Sequence, residues 1–302
     1  MAAQLRRLGE NPTAGIFSLL MVWCGLALGH SLVVLQSAST GGSGLLNTVI
    51  SWGLGTGGFI LVWIGMKRPE TQGTVLGYLG GNLIWCGFFE WTWHYFAQAL
   101  EIEPVLDNGI MILSPELLLI QATVLIVIAM LIFLGANKDT RCRMFLWFHR
   151  NFRLQPGTMT AGYKRQYARI AAMETVFLIW TIYLFAIFIN DPRGIRYDSI
   201  AAMAITAGFI AWSIYLVPKL LTCLCFGATF RYGIAVGSVS WLPIEALSRW
   251  GLYPEVWVKP AEFPVVMSAV LVAYVAGLLA MYRTDAVPRS PATPAIVTEG
   301  VP

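Results

Sequence analysis

A chain of 302 residues that is 57% hydrophobic and only 12% charged, with a mean hydropathy of +0.66, is not a water-soluble globular domain; such domains carry about 25% charged residues. The net charge of +4 does not point to nucleic acid, because the basic residues are concentrated in one loop. The five cysteines form no Cys-x-x-Cys pair, and no P-loop, Gly-x-Gly-x-x-Gly unit or Gly-x-Ser-x-Gly elbow is present, so disulfide frameworks, nucleotide chemistry and serine hydrolysis have no support.

In chain order, apolar stretches long enough to cross a bilayer run from about 14 to 36, 45 to 66, 74 to 99, 110 to 135, 171 to 189, 199 to 217 and 264 to 282. These seven are clear. An eighth, 220 to 242, is interrupted by Arg231 and carries Gly227, Gly233 and Gly237, which leaves a true span, a broken span and a re-entrant segment open. The expected fold class is all-α: a polytopic helical membrane bundle of about eight spans over 1–283, followed by a Pro-rich, disordered tail at 284–302.

Basic residues orient the spans. Arg6 and Arg7 precede the first, Lys67 and Arg68 follow the second, and the segment 138–169 holds eight Lys and Arg residues against the single acid Asp139. By the positive-inside rule these regions, and the N-terminus, are cytoplasmic, which in a bacterium means the inner membrane. Within 138–169 the run Met144 to Phe148, flanked by arginines, reads as an amphipathic helix on the lipid surface, with His149 at the interface. The first apolar run, about 20 residues, exceeds a signal-peptide core and reads as a retained span.

The chemistry lies in the outer halves of the spans. Glu90 and His94 in the third span are four residues apart and share a helix face; His30 lies about six residues before the outer end of the first span, and Glu116 follows Ser114-Pro115 at the start of the fourth. At about 1.5 Å per residue all four fall in one layer roughly 6 to 12 Å below the outer surface. Ionisable residues at that depth cost enough that they have a partner or a task. Two imidazoles and two carboxylates suit a copper or iron ion, with Glu90 and His94 as the catalytic pair and His30, Glu90, His94 and Glu116 as metal ligands. The same Glu90 and His94 suit a proton relay in an ion-coupled permease, and a purely structural membrane subunit is the third class. Deeper in the bundle, Glu174 and Arg231 are expected to pair, Asn82 and Gln121 to bond between helices, and Gly55, Gly57 and Gly58 to permit close packing.

Several runs resemble one enzyme family. The late His30, the Lys67-Arg68-Pro69 end of the second span, Gly73-Thr74-Val75 opening the third and Trp91-Thr92-Trp93-His94-Tyr95-Phe96 closing it resemble the membrane A subunit of particulate methane and ammonia monooxygenases. Glu90-x-x-x-His94 and Leu242-Pro243 with Leu247, Trp250 and Gly251 resemble segments of the C subunit. The likeness implies a membrane monooxygenase subunit with copper, membrane partner subunits and a small apolar substrate arriving through the lipid bilayer. The chain departs from the family at 37–44, where Ser, Gly, Thr and Ala replace an acidic, Trp-rich outer loop, and it lacks the second histidine of the copper motif.

Overall fold

A computed structural model describes residues 12–284, apart from Ser43, 108–109, 136–138, 140–145, 147–148, Leu154, Pro156, Met159 and Leu224. Most of the expected surface helix at 144–148 and all of the C-terminal tail beyond Thr284 lie outside the described residues. The described chain is a bundle of long helices: α1 (Thr13–Thr40), α2 (Leu45–Gly65), α3 (Glu70–Ile84) continued by a π-helix (Trp85–Glu90) and α4 (Trp91–Ala99), then α5 (Pro115–Ala122), α6 (Val124–Gly135), α7 (Tyr167–Asn190), α8 (Ile200–Leu220), α9 (Phe226–Arg249) and α10 (Pro264–Thr284). A short antiparallel hairpin, β1 (Val105–Asp107) and β2 (Ile110–Leu113), joins α4 to α5.

Five of these helices, α1, α2, α7, α8 and α10, are long and apolar enough to cross a membrane, and the pair α5 and α6 makes a sixth if it counts as one span bent by 42°. The bend follows Thr123, whose hydroxyl turns back to the carbonyl of Ile120 and accepts the indole N–H of Trp180. The segment 220–242, expected to be open between three forms, belongs to one unbroken helix, α9. Both α9 and the continuous run 70–99 reach membrane-spanning length, yet neither is apolar enough to count among the five. The reason is position: they lie inside the bundle, where small residues that let backbones approach replace Leu and Ile.

Glycines draw these inner helices together. A Cβ on Gly58 would strike the backbone of Gly80, one on Gly87 the backbone of Gly55 and Ser51, and one on Gly77 the backbone of Ala168, so α3 and its π continuation are clamped between α2 and α7. On the other side Gly233 and Gly237 of α9 seat Ser18 and Val22 of α1. Gly55 and Gly58 thus act as expected, whereas Gly57 meets open space. The outward faces, by contrast, are lined by exposed Leu, Ile, Val, Phe and Trp, such as Trp52, Phe59 and Trp63 on α2, as lipid requires.

Three further expectations change. Arg231 does not pair with Glu174: its guanidinium donates to Glu70 Oε1 at 2.5 Å and to Thr74 Oγ1 at 2.8 Å, and lies 4.7 Å from the ring centre of Tyr167. Sequence depth puts Arg231 and Glu174 near one level, but the rotation of α9 turns the arginine toward α3. His149 is buried rather than interfacial. Gln121 does bond between elements, donating to Asp191 at 2.8 Å, while Asn82 donates within its own helix to the carbonyl of Tyr78.

Outside the apolar helices, Asp191 closes the α7 end by accepting from the Arg193 side chain and backbone and from Gln121. The Arg193 guanidinium, supported by Gln121, holds the Asp191 carboxyl well below the usual carboxylate range. A depressed folded value stabilises above the unfolded value, near about 3.9, and the contribution is lost as pH falls through the folded value. Asp191→Asn is therefore expected to lower the unfolding temperature of detergent-purified protein at pH 7, with the deficit shrinking as pH falls below about 4. An equal deficit at both pH values would show that the aspartate acts without its charge.

Candidate functional site: a cavity of imidazoles and carboxylates

All four residues singled out from sequence line one cavity of about 220 Å³, together with Tyr183, Glu245, Arg249 and Glu255. Its apolar remainder includes Val33, Leu117, Ile187 and Trp257. The cavity lies where α1, the π-helix, α4, α5, α7 and α9 converge beneath the loop 250–263.

The π-helix sets the position of Glu90. Its wider turn brings residues five apart into register, so the Trp85 indole N–H donates to Glu90 Oε1 at 2.9 Å. Trp85 is in turn packed by Phe89, Trp93, Trp180 and Tyr183. A carboxylate 5% exposed is thereby held at the cavity wall by an aromatic cage.

His94, one turn on, has a defined hydrogen-bonding state. Its Nδ1 lies 2.9 Å from the Glu90 carbonyl oxygen, which can only accept, so Nδ1 carries the hydrogen and Nε2 of the neutral ring holds a lone pair. That Nε2 faces Glu116 Oε1 at 3.7 Å, too far for a hydrogen bond, and Glu90 Oε2 lies 3.9 Å from Nδ1. Glu116 also accepts from the Ser114 hydroxyl at the first turn of α5. One imidazole thus stands between two carboxylates.

His30 belongs to a second group. Its Nε2 donates to Glu245 Oε1 at 3.0 Å, and Nδ1 receives the Tyr183 hydroxyl at 3.2 Å, with the two rings stacked. Glu245 also accepts from Trp241 at 2.7 Å. Tyr183 is also a neighbour of Glu90 on the cavity wall, which brings the two groups into the line Glu116, His94, Glu90, Tyr183, His30, Glu245. At the mouth, Arg249 lies 3.7 Å from Glu255, whose carboxyl burial pushes above its usual range while Arg249 opposes the shift.

Glu245, Tyr183 and the Arg249–Glu255 pair were not among the sequence candidates. Tyr183 is one tyrosine in an apolar run and carries no local signal; Glu245 lies beyond the expected segment 220–242, and only the continuation of α9 to Arg249 places it in the bundle. Among the described residues, no group of three or more His, Cys, Asp and Glu side chains is arranged to hold a metal ion. Within the cavity His30 has both nitrogens engaged, which leaves His94 Nε2 as the imidazole lone pair there that is free to accept a cation.

No family model, curated protein or solved structure matches this chain. The likeness to monooxygenase subunits therefore rests on the motifs quoted above.

Proposed function

We propose that this chain is an ion-coupled membrane permease whose outer-half cavity takes up and releases protons through Glu90, His94 and Glu116. One observation carries the reading: six ionisable or hydroxyl side chains from six elements form a single line, with a lone pair on His94 Nε2 facing a carboxylate across a gap that a proton closes. The charge balance points the same way. Arg249 offsets Glu255 and a protonated His30 would offset Glu245, but Glu90 and Glu116 share the single imidazole of His94. A buried excess of negative charge is relieved by binding a cation, and a proton is the smallest.

The chain holds only three histidines, so ring-labelled protein in nanodiscs gives signals that single substitutions assign. Glu90→Gln and Glu116→Gln are each expected to alter the pH response of the His94 ring signals. A His94 pH response indifferent to both would sink the proton reading.

In this proposal the chain crosses the bacterial inner membrane eight times with its N-terminus in the cytoplasm. The basic loops support the orientation, and the length and central packing of 70–99 and 226–249 support counting both as spans. Single cysteines introduced at 252–258 are then expected to react with an impermeant maleimide in intact cells, and cysteines at 160–164 only after lysis. The reverse pattern would invert the topology.

The free Nε2 of His94 favours a second reading, a copper- or iron-dependent oxidoreductase or monooxygenase subunit acting on a small apolar substrate. There Glu90, His94 and Glu116 would hold the ion, with His30 entering only if it left Glu245, and the ion would supply redox and Lewis-acid chemistry. Metal bound to purified protein is then expected to fall with Glu90→Gln, His94→Ala and Glu116→Gln but not with Trp91→Phe. Elemental analysis showing no copper or iron in wild-type protein would remove this reading and leave the proton reading untouched.

A further inference from the structure

The helix that carries Glu90 and His94 bears a polar residue at every fourth position along its whole length: Glu70, Thr74, Tyr78, Asn82, Cys86, Glu90, His94 and Gln98. On an ideal α-helix a four-residue step overshoots the turn by about 40°, so such a row would wind steadily around the helix. Here the π-helix at 85–90 has a wider turn and takes back part of that drift. The residues from Thr74 to Glu90 are all buried in the bundle rather than presented to lipid.

Between the outer cavity and the inner end, each of these groups meets polar neighbours. Cys86 lies against the Gly29 carbonyl at 3.9 Å and close to Glu90. Tyr78 contacts the carbonyls of Met21 and Val22 at 3.4 and 3.3 Å, and its hydroxyl is within reach of Asn82 and of Tyr274 from α10. Thr74 donates to the Glu70 carbonyl and accepts from Arg231, which closes the row by binding Glu70 over the ring of Tyr167. From Glu70 to His94 the row spans roughly 36 Å at 1.5 Å per residue, against a hydrocarbon core of about 30 Å.

Lipid-facing helices do not place hydroxyl, amide and thiol groups in one buried row, because each costs free energy in hydrocarbon. Interhelical bonding accounts for Tyr78 and for Thr74, which accepts from Arg231, but not for Asn82, whose bond returns to its own helix.

We propose that this row is a transmembrane proton path, running from the outer cavity at His94 and Glu90 past Cys86, Asn82, Tyr78 and Thr74 to Glu70, and that the Arg231–Glu70 pair is its inner gate. The inference rests on the proton-exchanging cavity and extends it to the opposite face. A proton enters on His94 or Glu90 and exchanges along the row through the hydroxyl groups and through water held by the amide and thiol. It leaves at Glu70, and no bond other than O–H, N–H or S–H forms or breaks. The fixed guanidinium of Arg231 repels a cation arriving from either side, which is how an arginine blocks protons in a selective pore. Loosening its ion pair, whether by substitution or by a substrate-driven shift of α9 against α3, opens the path.

The test is proton flux into liposomes containing the full-length chain and a trapped pH-sensitive dye, under a potassium potential clamped with valinomycin. Arg231→Gln is expected to raise flux over empty vesicles by about tenfold or more, a barrier change of about 1.4 kcal/mol. Adding Glu90→Gln or Tyr78→Phe to that variant is expected to return flux to the empty-vesicle level, whereas adding Trp212→Phe on the lipid-facing side of α8 leaves it high. If Arg231→Gln does not fold, Arg231→Met removes the same charge at similar side-chain length and carries the same expectation. Gate variants that keep native gel-filtration and circular dichroism profiles yet conduct no better than empty vesicles would overturn the path. A leak that persists with Glu90→Gln would do the same. Either result, with the His94 pH response still altered by Glu90→Gln, would remove the transmembrane path alone; a His94 pH response that never alters would remove the cavity reading instead.

Discussion

The close approach of α3 to its neighbours is the constraint on which the rest of the molecule depends. Gly77, Gly80 and Gly87 leave no room for a side chain between this helix and α7 or α2. In a bilayer, where apolar side chains gain nothing by leaving lipid for protein, such contact is stabilised by dispersion and by polar groups finding partners. A helix held this tightly can be polar on its remaining face, because that face never meets hydrocarbon. Glu90, Asn82, Thr74 and Glu70 are tolerated for that reason, and α9, with Glu245 and Arg231, completes the enclosure.

Inside that enclosure the electrostatics follow from pairing. Arg231 with Glu70, His30 with Glu245 and Arg249 with Glu255 each match one cationic or protonatable group to one carboxylate. The exception is at the junction of the π-helix and α4, where His94 faces both Glu90 and Glu116. Breaking any one of these pairs leaves a partly or fully buried charge uncompensated, a larger effect than the pair's net worth. In the proposed permease the unmatched carboxylate at His94 is where a cation would exchange, and the matched pairs would be its supports and gate.

The sequence was legible where hydropathy and depth decide the outcome. Helices α1, α2, α7, α8 and α10 fall on the expected spans, and the common layer of His30, Glu90, His94 and Glu116 becomes one cavity. It was misleading where a helix is enclosed by others. The Gly-rich, Arg-containing segment looked breakable because an interior helix lacks the apolar run that marks a lipid-facing one, yet α9 is continuous. The fourth span was expected as one element from 110 to 135, whereas 110–113 is strand β2 and the helix that follows bends at Thr123, whose hydroxyl accepts from Trp180 of α7, a contact that no local pattern encodes.

Composition and spacing by themselves determined the membrane class, the approximate depth of each ionisable residue and the shared face of Glu90 and His94, since these follow from helix rise, helix period and the cost of burying charge. Tertiary structure alone decided which groups meet. Rotation of each helix about its axis is set by side-chain packing across several helices at once, and a single chain's periodicity carries no information about it. So His30 turned to Glu245 rather than to His94, and Arg231 to Glu70 rather than to Glu174. The π turn, a product of packing around Gly87 and the Trp85 cluster, aimed Glu90 into the cavity.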